Sequence, residues 1–184
     1  MAQNPLPFNM DVQECSEWCW AAVVSSIAVF VSSNLQPQQC QVVDREAFSP
    51  SFPSPGCCDK ANRCLPKNST CVCNTTGPIG TALADYDLIT GNLNGQIPSP
   101  SAFRTITQEI DNCCVVVLEL TEQAHGIAHV VVAYGYSGTD NLMISDPLNG
   151  SSRTCSFSDL LDASEAGMPG WSLSRIFTTV SGQC

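Results

Sequence analysis

The chain has 184 residues, 43% of them hydrophobic. That is enough for one domain with a buried core and too apolar for wholesale disorder. Its 17 acidic against 7 basic side chains give a formal net charge of −10, a surface that repels nucleic-acid phosphates and anionic membranes. No apolar run approaches the roughly 18 to 20 residues needed to span a bilayer.

In chain order, "MAQNPLPFNM" has no basic start and no apolar run, so no signal peptide is visible in this sequence. Next, "QECSEWCWAAVVSSIAVF" carries Trp20, Val23, Val24, Ile27, Phe30 and Val31 at helical spacing, which predicts a core-facing helix over 20–33. Residues 40–73 are rich in Pro, Ser, Asn and Cys without periodicity. They read as a loop-dominated segment held by crosslinks among Cys40, Cys57, Cys58, Cys64, Cys71 and Cys73. Zinc sites favour C-x2–4-C pairs, and this stretch offers C-C and C-x-C, so disulfides are the better reading.

A short helix is expected around Gly80 to Ile89. A second good helix follows in "SPSAFRTITQEID", with Phe103, Ile106 and Ile110 on one face behind a Ser101 cap. The pattern then turns to β-branched runs over 114–120, 129–136 and 142–146, completed by "SRTCSF" and "WSLSRIFTTV", with a short helix from Ser158 to Ala163. Helices followed by antiparallel strands make an α+β chain. One domain is expected over 1–184: a helical half over 1–112, which includes the cysteine-rich loop 40–73, and a sheet half over 113–184.

Twelve cysteines in a chain of this size point to an oxidising compartment, secreted or periplasmic. One thiol kept for chemistry would leave at most five bridges, whose connectivity the sequence leaves open. Asn68, Asn74 and Asn149 each begin an Asn-x-Ser/Thr sequon, which has meaning only in a secreted eukaryotic protein.

Cys19 stands immediately before the first helix. There, partial positive charge and unpaired N–H groups favour a thiolate. Taken alone, a cysteine between Trp18 and Trp20 could be packing, half of a crosslink, a metal ligand or a nucleophile. A nucleophile needs a base, and the only histidines are His125 and His129. His129 heads a β-patterned strand, whereas His125 in "TEQAHGIAH" reads as a loop residue. Asp146, before proline at the end of "LMISD", is placed to orient an imidazole, although a plain turn aspartate has the same look. Cys15 reads as a bridge partner, and Trp18 as either a cleft residue or core.

Gln13, Cys19, Trp20 and Ala21, as Q-x5-C-W-A, resemble the active-site segment of papain-like cysteine peptidases, and "HVVVAYGY" resembles that family's histidine strand. The "WCWAA" form is similar to compact bacterial branches, and agreement runs from residue 13 to about 150. The resemblance implies a papain-like fold and peptide-bond hydrolysis without a cofactor or metal. Cys19 would be the nucleophile, His129 the base, Asp146 the orienting carboxylate and Gln13 an oxyanion donor. It also implies a peptide or protein substrate, with no nucleic-acid or membrane partner, acting as a monomer. An inhibitor or propeptide not visible in this sequence would control it.

The family's Cys-Asn-Gly-Gly segment is similar to "CNTTGPIGTAL", which implies a Cys15–Cys73 bridge, although Cys15 stands four positions before Cys19, one more than in papain. The same triad would also serve an acyltransferase, transpeptidase or deamidase. A disulfide-rich binding module is the non-catalytic alternative.

Overall fold

The apolar run after Trp18 forms helix α1, Cys19–Val31, one residue earlier than its spacing predicts. Residues 19–28 are all buried, so the helix is enclosed on every side rather than along one stripe. The computed structural model describes residues 4–48, 51–59, 71–93, 99–162 and 170–184. Cys64, the Asn68 sequon and the expected helix end at Ala163 lie outside the described residues.

The segment expected to be loop holds a second helix, α2, Gln39–Glu46. A reciprocal capping box between Gln38 and Gln41 starts it, and Cys40, Val42 and Val43 are buried beneath it. Short helix α3, Ile79–Asp85, is followed by an unpredicted strand, β1, Ile89–Asn92. Helix α4, Pro100–Asp111, is capped by Ser99 and not by Ser101: the Ser99 hydroxyl accepts the Ser101 N–H at 3.2 Å, with Pro100 opening the helix. Ala102, Ile106 and Ile110 are fully buried.

The sheet is built from β2 (Val116–Glu122), β3 (Ala128–Ser137), β4 (Asn141–Asp146), β5 (Ser151–Ser156) and β6 (Trp171–Thr179), with α5 (Phe157–Asp162) before the last. Strand order is β1-β6-β2-β3-β4-β5, and every pairing is antiparallel. Residues 115–120 are buried without alternation, so both faces of the central strands are covered. Helix α1 packs on β3, and α4 packs on β3 and β2. The chain is thus a mixture of helix and antiparallel sheet, α+β, with disulfides.

The crosslinks join Cys40 to Cys58, Cys57 to Cys73 and Cys113 to Cys184; Cys71 is disulfide-bonded as well. Cys73 therefore pairs with Cys57, not with Cys15 as the family resemblance implied. The vicinal cysteines 57 and 58 clamp α2 to the turn segment at Cys73 from one point. At the other end, the Cys113–Cys184 bridge is accompanied by Gly182 N–H to the Cys113 carbonyl at 2.8 Å and Gln183 N–H to the Phe30 carbonyl at 3.1 Å. Among the described residues, no cluster of three His, Cys, Asp or Glu side chains is arranged to hold a metal ion. No described helix is long and apolar enough to cross a membrane.

Candidate active site

Cys19 is the first residue of α1, with Trp18 as N-cap. No side chain caps this helix start, and its first N–H groups have no carbonyl a turn earlier to bond. The two flanking indoles hold the start in place. Trp18 is fully buried and donates through Nε1 to the Cys73 carbonyl at 2.6 Å, so it is a core residue and not a cleft residue. Trp20 donates to the Thr75 carbonyl at 3.2 Å. Gly77 permits this approach, because a Cβ there would stand 2.4 Å from the Trp20 ring.

His129 comes from the beginning of β3 and Asp146 from the last residue of β4, brought back by the turn at 138–140. Both are largely buried. His129 Nε2 and Asp146 Oδ1 are 2.8 Å apart, and Cys19 lies near enough to the imidazole to raise its pKa. The Leu148 N–H adds a second bond to Asp146 Oδ1 at 2.9 Å.

Burial pushes the His129 pKa down, but the hydrogen bond and charge of Asp146, together with the interaction with Cys19, outweigh it. The result is a rise from 6.5 to about 9. For Asp146, burial raises the pKa, and the hydrogen bond and charge of His129, the Leu148 N–H and Arg153 overcome it, leaving the carboxyl below its ordinary range. Each group holds the other in its charged form.

Cys19 and His129 open onto a cleft of about 580 Å³. Trp20, Pro78, Ile79, Ile127, Val130 and Leu148 give it apolar walls. Trp171, which the sequence analysis did not single out, makes a T-shaped contact with His129, centroids 6.1 Å apart at 74°. The cleft also holds an ion pair in which Arg175 Nε donates to the buried Glu119 carboxylate at 2.7 Å. The pair sits in register across β2 and β6. Only cross-strand register brings it together, so the one-dimensional spacing carried no signal for it.

The remaining candidates are dispersed. His125 is exposed and bonds Glu122 at 2.8 Å through Nδ1, a solvated turn pair. Gln13 is 1% exposed. Its amide donates to the carbonyls of Cys15 at 2.9 Å and Ser16 at 2.6 Å, while Oε1 has no hydrogen-bond partner. It is not among the cleft-lining residues. Two further reduced cysteines are poor thiolates. Burial, with Glu109 nearby, raises Cys114 to about 11, and burial raises Cys155 to about 11 despite Arg153.

Residues 1–87, which include Gln13 and Cys19, match the family model described as "Papain-like cysteine protease AvrRpt2". No curated protein matches the chain. Among solved structures, the Pseudomonas avirulence protein AvrPphB aligns at 12% identity and a TM-score of 0.30, over 55% of this chain and 57% of that one. This chain therefore spans little more than half of that protein, and so distant a likeness carries no argument. The part of the chain that bears the helix-terminal cysteine is thus similar to papain-like cysteine proteases.

Proposed function

We propose that the chain is a papain-like cysteine protease, an endopeptidase working through Cys19, His129 and Asp146. One observation carries the reading: His129, bonded to the Asp146 carboxylate at 2.8 Å, lines the same cleft as Cys19. His129 holds the proton of Cys19, and the resulting thiolate attacks the scissile carbonyl carbon. The oxyanion is held by the Cys19 backbone N–H and by the Gln13 amide. For Gln13 this requires one amide hydrogen to leave the carbonyl of Cys15 or Ser16 as substrate enters. The imidazolium protonates the departing amine. His129 then takes a proton from water, whose oxygen displaces the thiolate from the acyl group and releases a carboxylic acid.

The reading extends to a papain-like arrangement of two lobes, 1–112 and 113–184, in one catalytic domain. It also includes a peptide or protein substrate, a monomeric enzyme and an oxidising, secreted or periplasmic setting. Three described bridges with both partners assigned support that setting.

The test is cleavage of a peptide library, with iodoacetamide mapping of the native protein. Cys19→Ala abolishes turnover and removes the fast-alkylating site. Turnover retained in Cys19→Ala would falsify the assignment.

A further inference from the structure

The segment 12–17, which leads into Cys19, belongs to no helix or strand, yet its backbone is fixed. Two buried amide side chains do this. Gln39, the first residue of α2, accepts the Glu14 N–H on Oε1 at 2.9 Å and donates from Nε2 to the Val12 carbonyl at 2.9 Å. The side chain thereby imitates one rung of a β-ladder. Asn74 accepts the Glu17 N–H on Oδ1 at 2.9 Å and donates from Nδ2 to the Ser16 hydroxyl at 2.7 Å. Gln39 is 5% and Asn74 8% exposed, so water does not readily replace them.

Both amides adjoin bridged cysteines. Gln39 precedes Cys40, bonded to Cys58; Asn74 follows Cys73, bonded to Cys57. Because 57 and 58 are neighbours, the two bridges make one rigid support with an amide at each end. Ser16 and Glu17, the residues that Asn74 holds, line the cleft beside Cys19. A segment gripped at 12, 14, 16 and 17 has little freedom left to move the sulfur away from His129.

We infer that Gln39 and Asn74 are positioning residues for the reaction, setting the Cys19 sulfur against His129 by holding segment 12–17 on the disulfide support. The inference rests on the nucleophile assignment above. Misplacing a reacting group by about 1 Å costs on the order of 10²-fold in rate. Gln39→Ala and Asn74→Ala therefore lower kcat by roughly 10- to 100-fold, with KM nearly unchanged because the apolar cleft walls stay in place. The rate of Cys19 alkylation in the folded protein falls in parallel.

Conservative variants separate this from general destabilisation. Asn74→Asp keeps the acceptor for Glu17 N–H, and the Ser16 hydroxyl can turn to donate, so most of kcat returns. Gln39→Glu puts a carboxylate oxygen against the Val12 carbonyl and does not recover. Rates are measured per folded molecule, with the folded fraction read by near-ultraviolet circular dichroism. Unchanged kcat in both alanine variants, a loss confined to KM, or recovery in Gln39→Glu but not in Asn74→Asp would overturn the inference. Should Cys19→Ala itself retain turnover, the nucleophile assignment is what fails.

Discussion

His129 shows how far one residue's behaviour departs from its type. A buried imidazole ordinarily loses its proton more easily, and here its interactions with Asp146 and Cys19 reverse the sign and carry its pKa to about 9. Because this folded-state value lies above the ordinary one, the charged pair adds stability that is fully present below about pH 6.5. That contribution is lost as pH rises through about 9. Asp146 behaves oppositely: its lowered pKa adds stability above the usual carboxylate range, lost as acid protonates it. Activity that requires the imidazolium has an alkaline limb near pH 9. Asp146→Asn removes the negative partner, so that limb moves toward neutral pH and kcat falls; a pH–rate profile of the variant reads both. An unmoved limb would mean that Asp146 does not sustain the imidazolium. At this scale the sequence was informative for Cys19, His129 and Asp146, because strand ends and a helix start are visible in hydrophobic pattern. It was silent on Trp171, whose contact with His129 depends on a strand 42 positions away (171 − 129). The Asn74 sequon gave no hint that this side chain is buried with its amide engaged.

Among the elements, the long periodic ones were legible and the short ones were not. Helices α1 and α4 announce themselves through repeating apolar faces, and β2 through an unbroken valine run. Helix α2 hid because its sequence, "QCQVVDRE", is too short for periodicity and sits among prolines and cysteines; a capping box and two buried valines make it a helix. Strand β1 is similarly brief, and its partner residue in β6 lies ninety positions later (Ile89 with Thr179), so only tertiary pairing reveals it. Helix α4 also shows how a boundary is decided by one hydroxyl. Ser99→Ala removes the acceptor for the Ser101 N–H and costs about 1 kcal/mol, measured as a lower denaturant midpoint, while Ser101→Ala costs less. Ser99 is far in the chain from every candidate catalytic residue, and turnover is expected to stay at its original level.

For the molecule as a whole, two kinds of sulfur must coexist. In the proposed mechanism Cys19 works only as a thiol or thiolate, whereas Cys40–Cys58 and Cys57–Cys73 support it only as disulfides. Cys58 is exposed, so the first of these bridges can be reached from solvent. A dithiol reductant transfers two electrons and two protons per bridge, giving two protein thiols and its own cyclic disulfide. Turnover is therefore expected to fall as the reductant is raised far enough to open these bridges, the reverse of the usual activation of thiol enzymes by reductant. Mass counting of alkylated cysteines alongside the rate assay checks it, and full activity with both bridges open would refute it. The presence of crosslinks was legible from cysteine count; their connectivity was not, since chain separation does not determine which sulfurs meet.

Neighbouring residues 57 and 58 send their bridges to different partners, and this has a consequence for how the molecule is made. Exchange of the two partners needs only one residue of slippage, so it is the nearest error available during oxidation. The product would keep its sheet and its thiol yet present segment 12–17 in the wrong register. Batches that look correctly assembled by spectroscopy can then differ in specific activity, and shuffling catalysts that reopen vicinal mispairs would restore the missing fraction.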